Sequence, residues 1–161
     1  MRPTATTGLI IGRFCPPHLG HSHLFDAAAA KVDQLTVIVF SKEAEAVPGT
    51  LRAQWLAELH PRVSVVHVPT DLVTDWDDPA IWARWIALIR SVLPVGPDVV
   101  FSSERYGDEV ARRLGAGHEC VDPDRSTVPI SATAVRADPL AHLDQLSPPV
   151  RAWYESHATG S

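Results

Sequence analysis

The chain has 161 residues, the length of one ordinary domain, and its 45% apolar and 20% charged residues are enough to build a core and exclude a disordered chain. A net charge of −5 argues against nucleic-acid binding through a basic face, yet allows an anionic small ligand held by a few placed cations and helix N-termini. No apolar run approaches the roughly 18 residues that span a bilayer, and Met1–Thr7 lacks the apolar stretch of a secretory signal, so neither a membrane nor a nucleic acid is an expected partner. Cys15 and Cys120 are too few for a disulfide framework, though one bridge stays open, and a reducing cytoplasm is the expected location.

In chain order, Gly8–Gly12 is a short apolar strand, and His21–Lys31 a helix with Leu24, Ala27, Ala28 and Val32 spaced for a buried face. Leu35–Phe40 has almost no polar relief, as a strand covered on both faces would. A helix over Leu51–Leu59 follows, with Thr50 as its N-cap, then a strand over Val63–Val68. Pro79–Leu93 is a helix framed by Pro79 and Pro94, and Asp98–Phe101 a strand. Arg105–Leu114 is a helix stopped by Gly115 and Gly117, and His118–Val121 a fifth strand. Short helices over Ile130–Ala137 and Ser147–His157 complete the chain. This alternation predicts an α/β fold: a doubly wound parallel sheet of five strands with helices on both faces. One domain is expected over 1–161, with a core over about 8–137 and a helical tail over 138–161. Such sheets bind ligands beyond the carboxyl ends of their strands, where strand order reverses.

The loop after the first strand reads GRFCPPHLGH. His18 and His21 are three apart and share one side as a helix begins, and Gly20 lets the backbone approach a ligand there. With Arg13 alongside, two imidazoles at a helix N-terminus suit a triphosphate. The alternatives are a capping or surface pair of histidines, and a zinc site drawing on Cys15, His18, His21 and His23, for which no second ligand pair is visible at a compatible spacing. Far downstream, PISATAVR puts Ser131, Thr133 and Arg136 at the start of a short helix, where two hydroxyls and a guanidinium make a second anion site, unless Ser131 is simply the cap.

His18-Leu19-Gly20-His21 and Ile130-Ser131-Ala132-Thr133-Ala134-Val135-Arg136 together resemble the nucleotidylyltransferase superfamily, whose two signatures are [HT]-x-G-H and I-S-x-T-x-x-R. Between them, VPGTLRAQWLAEL, DVVFSSERY and VDPDR are similar to the adenylyltransferase domain of NadR-type proteins, so the likeness covers roughly residues 8 to 154. The resemblance implies a Rossmann-like sheet and adenylyl transfer from ATP to nicotinamide mononucleotide. It implies a divalent cation, usually Mg²⁺, carried mainly by phosphates and water, so no protein ligand is named. Carried over by position, Gly12, Arg13, Phe14, His18, Gly20 and His21 hold the triphosphate, with Ser131, Thr133 and Arg136 on its β- and γ-phosphates. Of these, His18, His21, Arg13 and Arg136 are the expected catalytic residues. Arg52 matches a basic position that meets phosphate, and Lys42 is a further candidate.

For the acceptor, Trp76 or Trp82 offers a face to a charged pyridinium ring, although each tryptophan also suits plain core packing. Ser103, Glu104 and Tyr106 should lie near one of the nucleotides. Asp77 and Asp78 either cap the next helix or touch ligand; Asp122 and Arg125 either pair with each other or meet substrate. The chain has no G-x-x-x-x-G-K-[ST] loop, so a stand-alone transferase or a cut form of a longer one is expected; the N-terminal DNA-binding module of the bacterial family is also missing from the sequence, so no repressor role is expected. Rival expectations are a cytidylyltransferase or another nucleotidylyltransferase with a different small phosphate or phosphonate acceptor, and a nucleotide-binding sensor without turnover. A homo-oligomer stays open.

Overall fold

A computed structural model describes residues 6–43, 45, 47–73, 75, 77–102, 106–121 and 132–158. Its elements run β1 (Thr7–Gly12), α1 (Leu19–Ala29), β2 (Gln34–Ser41), α2 (Gly49–Leu59), β3 (Ser64–Pro69), α3 (Pro79–Val92), β4 (Val99–Ser102), α4 (Tyr106–Leu114), β5 (Gly117–Cys120), α5 (Ala132–Ala137) and α6 (Pro148–Ala158). A 3₁₀ segment over Pro139–Gln145, which the sequence pattern does not signal, joins the last two. The five strands form one parallel sheet in the order β3-β2-β1-β4-β5. The chain winds outward from β1 through β2 and β3, then returns to the other side of β1 with β4. Strand order therefore reverses between β1 and β4, and the loop after β1 stands at that switch point.

Side chains alternate across the strands, and the alternation sorts the helices. Leu9, Ile38, Phe40 and Val100 face α3 and α4, packing with Trp82, Trp85, Ile89 and Val110. Their neighbours Ile10, Val37, Val39 and Phe101 face the opposite side, against Leu24, Phe25 and Ala28 of α1 and Leu56 of α2. The β2 strand is buried on both faces from Val37 to Ser41, which is why its run carries no polar relief. A third cluster packs Val135 of α5, Leu146, Val150 and Tyr154 against Cys15, Val47 and Trp55, laying the carboxyl-terminal segment over the loop after β1.

At two helices the N-cap differs from expectation. The first helix begins at Leu19 because His18 itself is its N-cap. The second begins at Gly49, and Pro48 occupies the cap position that Thr50 was expected to fill. Asp78 caps α3 by accepting from the Ala80 N–H at 2.9 Å, one of the two roles open to it. Gly115, at φ +72°, ends α4 in the left-handed conformation that glycine adopts without Cβ strain.

The two halves of the sheet repeat one device. Ser41, ending β2, pairs its Oγ with Nε2 of His67 on β3 at 2.6 Å; Ser102, ending β4, pairs with Nε2 of His118 on β5 at 2.8 Å. In each half a glycine in the first turn of the next helix presses on the pair. A Cβ on Gly49 would lie 2.5 Å from the His67 nitrogen, and one on Gly107 2.7 Å from Ser102 Cβ. Burial, and then the Arg52 charge, hold the His67 imidazole below its ordinary pKa, so it serves as a neutral partner. These pairs seat the starts of α2 and α4 at the carboxyl edge of the sheet. Gly49→Ala and Gly107→Ala should each lose about 1–3 kcal/mol on urea denaturation, because overpacking outweighs the better helix propensity of alanine. Unchanged midpoints in both variants would remove the seat as a structural constraint.

Candidate active site

The loop from Arg13 to His18 leaves Gly12 at the end of β1 with Phe14 at φ +50°, a left-handed conformation uncommon for a side chain of this size. The Phe14 ring turns inward, 5% exposed, and meets the rings of His21 at 4.8 Å and Phe25 at 5.4 Å, both edge to face. It therefore supports an imidazole rather than presenting a face to a ligand.

The two histidines build the start of α1. His18 Nδ1 accepts from the Gly20 N–H at 3.0 Å, and His21 Nδ1 accepts from the His18 N–H at 3.1 Å, a reciprocal capping box made of imidazoles. A ring that accepts at Nδ1 carries its proton at Nε2. Both neutral rings thus become Nε2–H donors, stacked 3.7 Å apart with their planes 18° from parallel. The first turn of α1 contains no acidic residue, so nothing there opposes an anion. The capping reading and the ligand reading, alternatives in the sequence, are compatible here, because the capping bonds engage Nδ1 and not Nε2.

Arg136, on α5, reaches back to this loop. Its guanidinium donates to the Cys15 carbonyl at 2.5 Å and to Thr133 Oγ1 at 3.3 Å. The hydrogen bond spans 121 positions of sequence and lands three residues before His18. Thr133 and Arg136 both remain exposed. Close by, burial and then the Cys15 thiol push the Tyr154 hydroxyl up to about 12, with Arg136 and Arg52 acting the other way. Ser131, Ser103, Glu104, Trp76, Asp122 and Arg125 lie outside the described residues.

Arg13 pairs with Glu45 at 3.1 Å and is one-third exposed. Arg52 is placed otherwise than expected. It is fully buried, its Nε donating to Val47 O at 3.0 Å and its terminal nitrogens to the Arg13 carbonyl and to Glu45 Oε1, the latter at 2.7 Å. A phosphate-facing role is corrected to an internal one: Arg52 ties two loops from beneath. A guanidinium is suited to that task, since its fixed fork of donors satisfies several carbonyls at once. Burial alone would raise the Glu45 carboxyl, but the Lys42 N–H, Arg52 and Arg13 outweigh it and hold it below the ordinary carboxylate range.

Trp82 is likewise corrected. It is 5% exposed within the core and carries the Arg113 guanidinium over its ring at 5.1 Å. Trp85 is equally buried and donates its Nε1–H to Val73 O at 2.8 Å. Tyr106, at the start of α4, donates its hydroxyl to the Ile11 carbonyl at 3.1 Å and so ties the start of that helix to the end of β1. Glu45 is the site residue that sequence reading missed; its only signal is a carboxylate, one of two in its loop, lying in sequence between two arginines that need a counter-charge.

The zinc alternative finds no support in the arrangement. Cys15 is a free, buried thiol packed in the third cluster, and Cys120 is a free, exposed one, so the two form no disulfide. Among the described residues no group of three or more His, Cys, Asp or Glu side chains is placed to hold a metal. The donors gathered here are N–H groups, which suit phosphate oxygens and not a cation. Among the described residues, no helix is long and apolar enough to cross a membrane.

A β-α sheet with its first loop at the switch point, an imidazole pair on that loop and a carboxyl-terminal guanidinium returning to it is the layout of a nucleotidyltransferase. Residues 9–138 match the cytidylyltransferase-like family, and the chain belongs to that family. Over 95% of its length it is 24% identical to the trifunctional NAD biosynthesis/regulator protein NadR of Escherichia coli K12, of which it covers 42%. Over 60% of its length it is 27% identical to a nicotinamide-nucleotide adenylyltransferase of Aeropyrum pernix, covering 58% of that protein. The chain thus spans less than half the length of the NadR relative. A crystal structure of NadR in complex with NAD and AMP-PNP shares its fold, with a TM-score of 0.67 at 18% identity over 88% of this chain and 44% of that one.

Three variants separate the roles assigned here. His18→Asn keeps a cap acceptor and should melt within about 0.5 kcal/mol of wild type, whereas His18→Ala should lose about 1 kcal/mol; both should lose nucleotidyl transfer. Full turnover in His18→Asn would reduce the imidazole to a cap. Arg52→Met should cost about 3–5 kcal/mol in thermal or denaturant unfolding, since it strips a partner from a buried ion pair. A well-folded Arg52→Met with only a raised substrate KM would return Arg52 to the ligand.

Proposed function

We propose that this protein transfers the adenylyl group of ATP to nicotinamide mononucleotide, forming NAD and releasing pyrophosphate. The observation that carries the reading is the meeting of the two motif-bearing segments: the Nε2–H imidazole pair and Arg136 are brought to one loop at the switch point. The relatives' names support the nicotinamide acceptor.

In the proposed reaction an oxygen of the acceptor phosphate bonds to the α-phosphorus of ATP. The bond from that phosphorus to the bridging oxygen breaks, and pyrophosphate leaves with the electron pair. A phosphate monoester has a second pKa of about 6 and is already largely dianionic at neutral pH, so no general base is required. The difficulty is to bring anions together, and the enzyme's contribution is positioning and charge neutralisation. His18 and His21 donate to the triphosphate from neutral rings whose tautomer is set in advance, while Arg13, Thr133 and Arg136 supply further donors. Ser131 belongs to the same proposed phosphate grip, and Trp76, Ser103, Glu104 and Tyr106 to the acceptor side. Magnesium enters with the triphosphate as part of the substrate, in keeping with a donor set of N–H groups.

The test is release of pyrophosphate with each of the four nucleoside triphosphates and nicotinamide mononucleotide. ATP is expected to be preferred and NAD to accumulate. Preference for CTP, or turnover only with another phosphate or phosphonate acceptor, would overturn the assigned substrates. Pyrophosphate release above background would dismiss the rival reading of a nucleotide sensor without turnover, and its absence would overturn the proposed transfer. In the same assay His21→Ala should lower turnover by about 10²–10³, the loss expected when one preorganised donor is removed.

A further inference from the structure

We infer that Glu45 is a positioning residue for the phosphate site, orienting the Arg13 guanidinium directly while itself anchored by the buried guanidinium of Arg52. The inference deepens the proposed function and rests on its assignment of Arg13 to phosphate.

Glu45 lies in the loop between β2 and α2, and both of its oxygens are engaged. Oε2 takes Arg13 at 3.1 Å; Oε1 takes Arg52 at 2.7 Å and the Lys42 N–H at 2.6 Å. Arg52 also donates to the main-chain carbonyl of Arg13. Arg13 is therefore gripped at both ends from one buried group: its backbone directly, its guanidinium through Glu45. The carboxylate side chain is 16% exposed and that of Arg52 0%, so the relay is anchored inside the fold and opens outward only at Arg13.

A carboxylate next to an anion site would ordinarily repel the ligand. Here two guanidiniums share one carboxylate, which leaves one positive charge in surplus. Arg52 is fully buried, so the guanidinium of the pair that a ligand can touch is Arg13, the partly exposed member. Arg13 commits one N–H to Glu45, its sole side-chain partner among the described residues, and a guanidinium has five. Holding Arg13 in advance also removes the entropy that a free arginine would lose on meeting phosphate. The same buried group that was expected to touch phosphate thus acts on it at one remove.

The test uses Glu45→Gln, Arg13→Ala and the double variant, each checked for folding by thermal melt. Binding is read with inorganic tripolyphosphate by calorimetry, and KM and kcat by pyrophosphate release from ATP and nicotinamide mononucleotide. In Glu45→Gln the tripolyphosphate Kd and the KM for ATP should rise about tenfold, as for loss of an oriented charge-assisted contact. The KM for the mononucleotide should change by less than about twofold. In the Arg13→Ala background Glu45→Gln should change the Kd by less than about twofold, because the carboxylate acts only through Arg13. An equal effect in both backgrounds, an unchanged Kd, or tighter binding in Glu45→Gln would overturn the inference, as would a wild type that does not bind tripolyphosphate. Should Glu45→Gln not fold, Glu45→Asp keeps the charge beside Arg52, shortens the reach to Arg13 and answers the same question. A wild type that shows this Kd pattern but releases no pyrophosphate from the two nucleotides would sink the proposed function and leave the positioning role standing.

Discussion

The site depends on one backbone constraint, the left-handed turn at Phe14. A non-glycine residue there costs on the order of 1–3 kcal/mol, and such a conformation persists only where its surroundings over-determine it. Here they do so on three sides. The Phe14 ring is wedged between His21 and Phe25, and the carbonyls of its two neighbours are each taken by a guanidinium from elsewhere, Arg13 O by Arg52 and Cys15 O by Arg136. Arg52 comes from α2 and Arg136 from α5, so the loop is the point where separate parts of the chain are drawn together. Released from those two contacts, the turn would have less to hold it, and the cap that follows would lose its register.

The sheet was legible because its signal is local and redundant. The run from Leu35 to Phe40 has one physical solution, a strand covered on both sides, and the parity of Leu9 against Ile10 or Phe40 against Val39 then distributes the helices between the faces. Element ends were less legible, for reasons that are also local. Histidine ranks low as a cap in general, so a helix beginning at Leu19 could be found only by asking what His18 Nδ1 bonds to.

Among the candidate residues, those in motifs could be picked out from sequence as candidates, and those that hold them in place could not. His18, His21 and Arg136 stand out because their types and spacing resemble a known pattern. Arg52 shows equally well as a cation near a loop, but whether a guanidinium faces a ligand or the interior is decided by tertiary burial, which leaves no mark on neighbouring residues. Trp82 and Trp85 pose the same question, and core packing prevails for both because α3 must cover a sheet face with its bulky side chains. Glu45 carries no local signal beyond its charge; its meaning comes from the two arginines it joins, one before it in sequence and one after.

One hydrogen-bond pattern connects the helix to the chemistry. A helix start leaves backbone N–H groups without intrahelical partners, and side chains that satisfy them are usually hydroxyls, amides or carboxylates. Using imidazoles instead has a consequence those groups lack. The bond that satisfies the backbone also selects the tautomer, so structural need at Nδ1 places the proton on Nε2. A carboxylate cap would have set a negative charge at the mouth of an anion site, and a hydroxyl would have left its proton free to rotate. Two stacked imidazoles avoid both problems, and under the proposed function they are fixed donors to the polyphosphate while a phosphorus–oxygen bond is exchanged. The [HT]-x-G-H spacing follows directly: the cap must lie three residues from its reciprocal partner, and the second residue of the helix must bring its N–H close to the first ring.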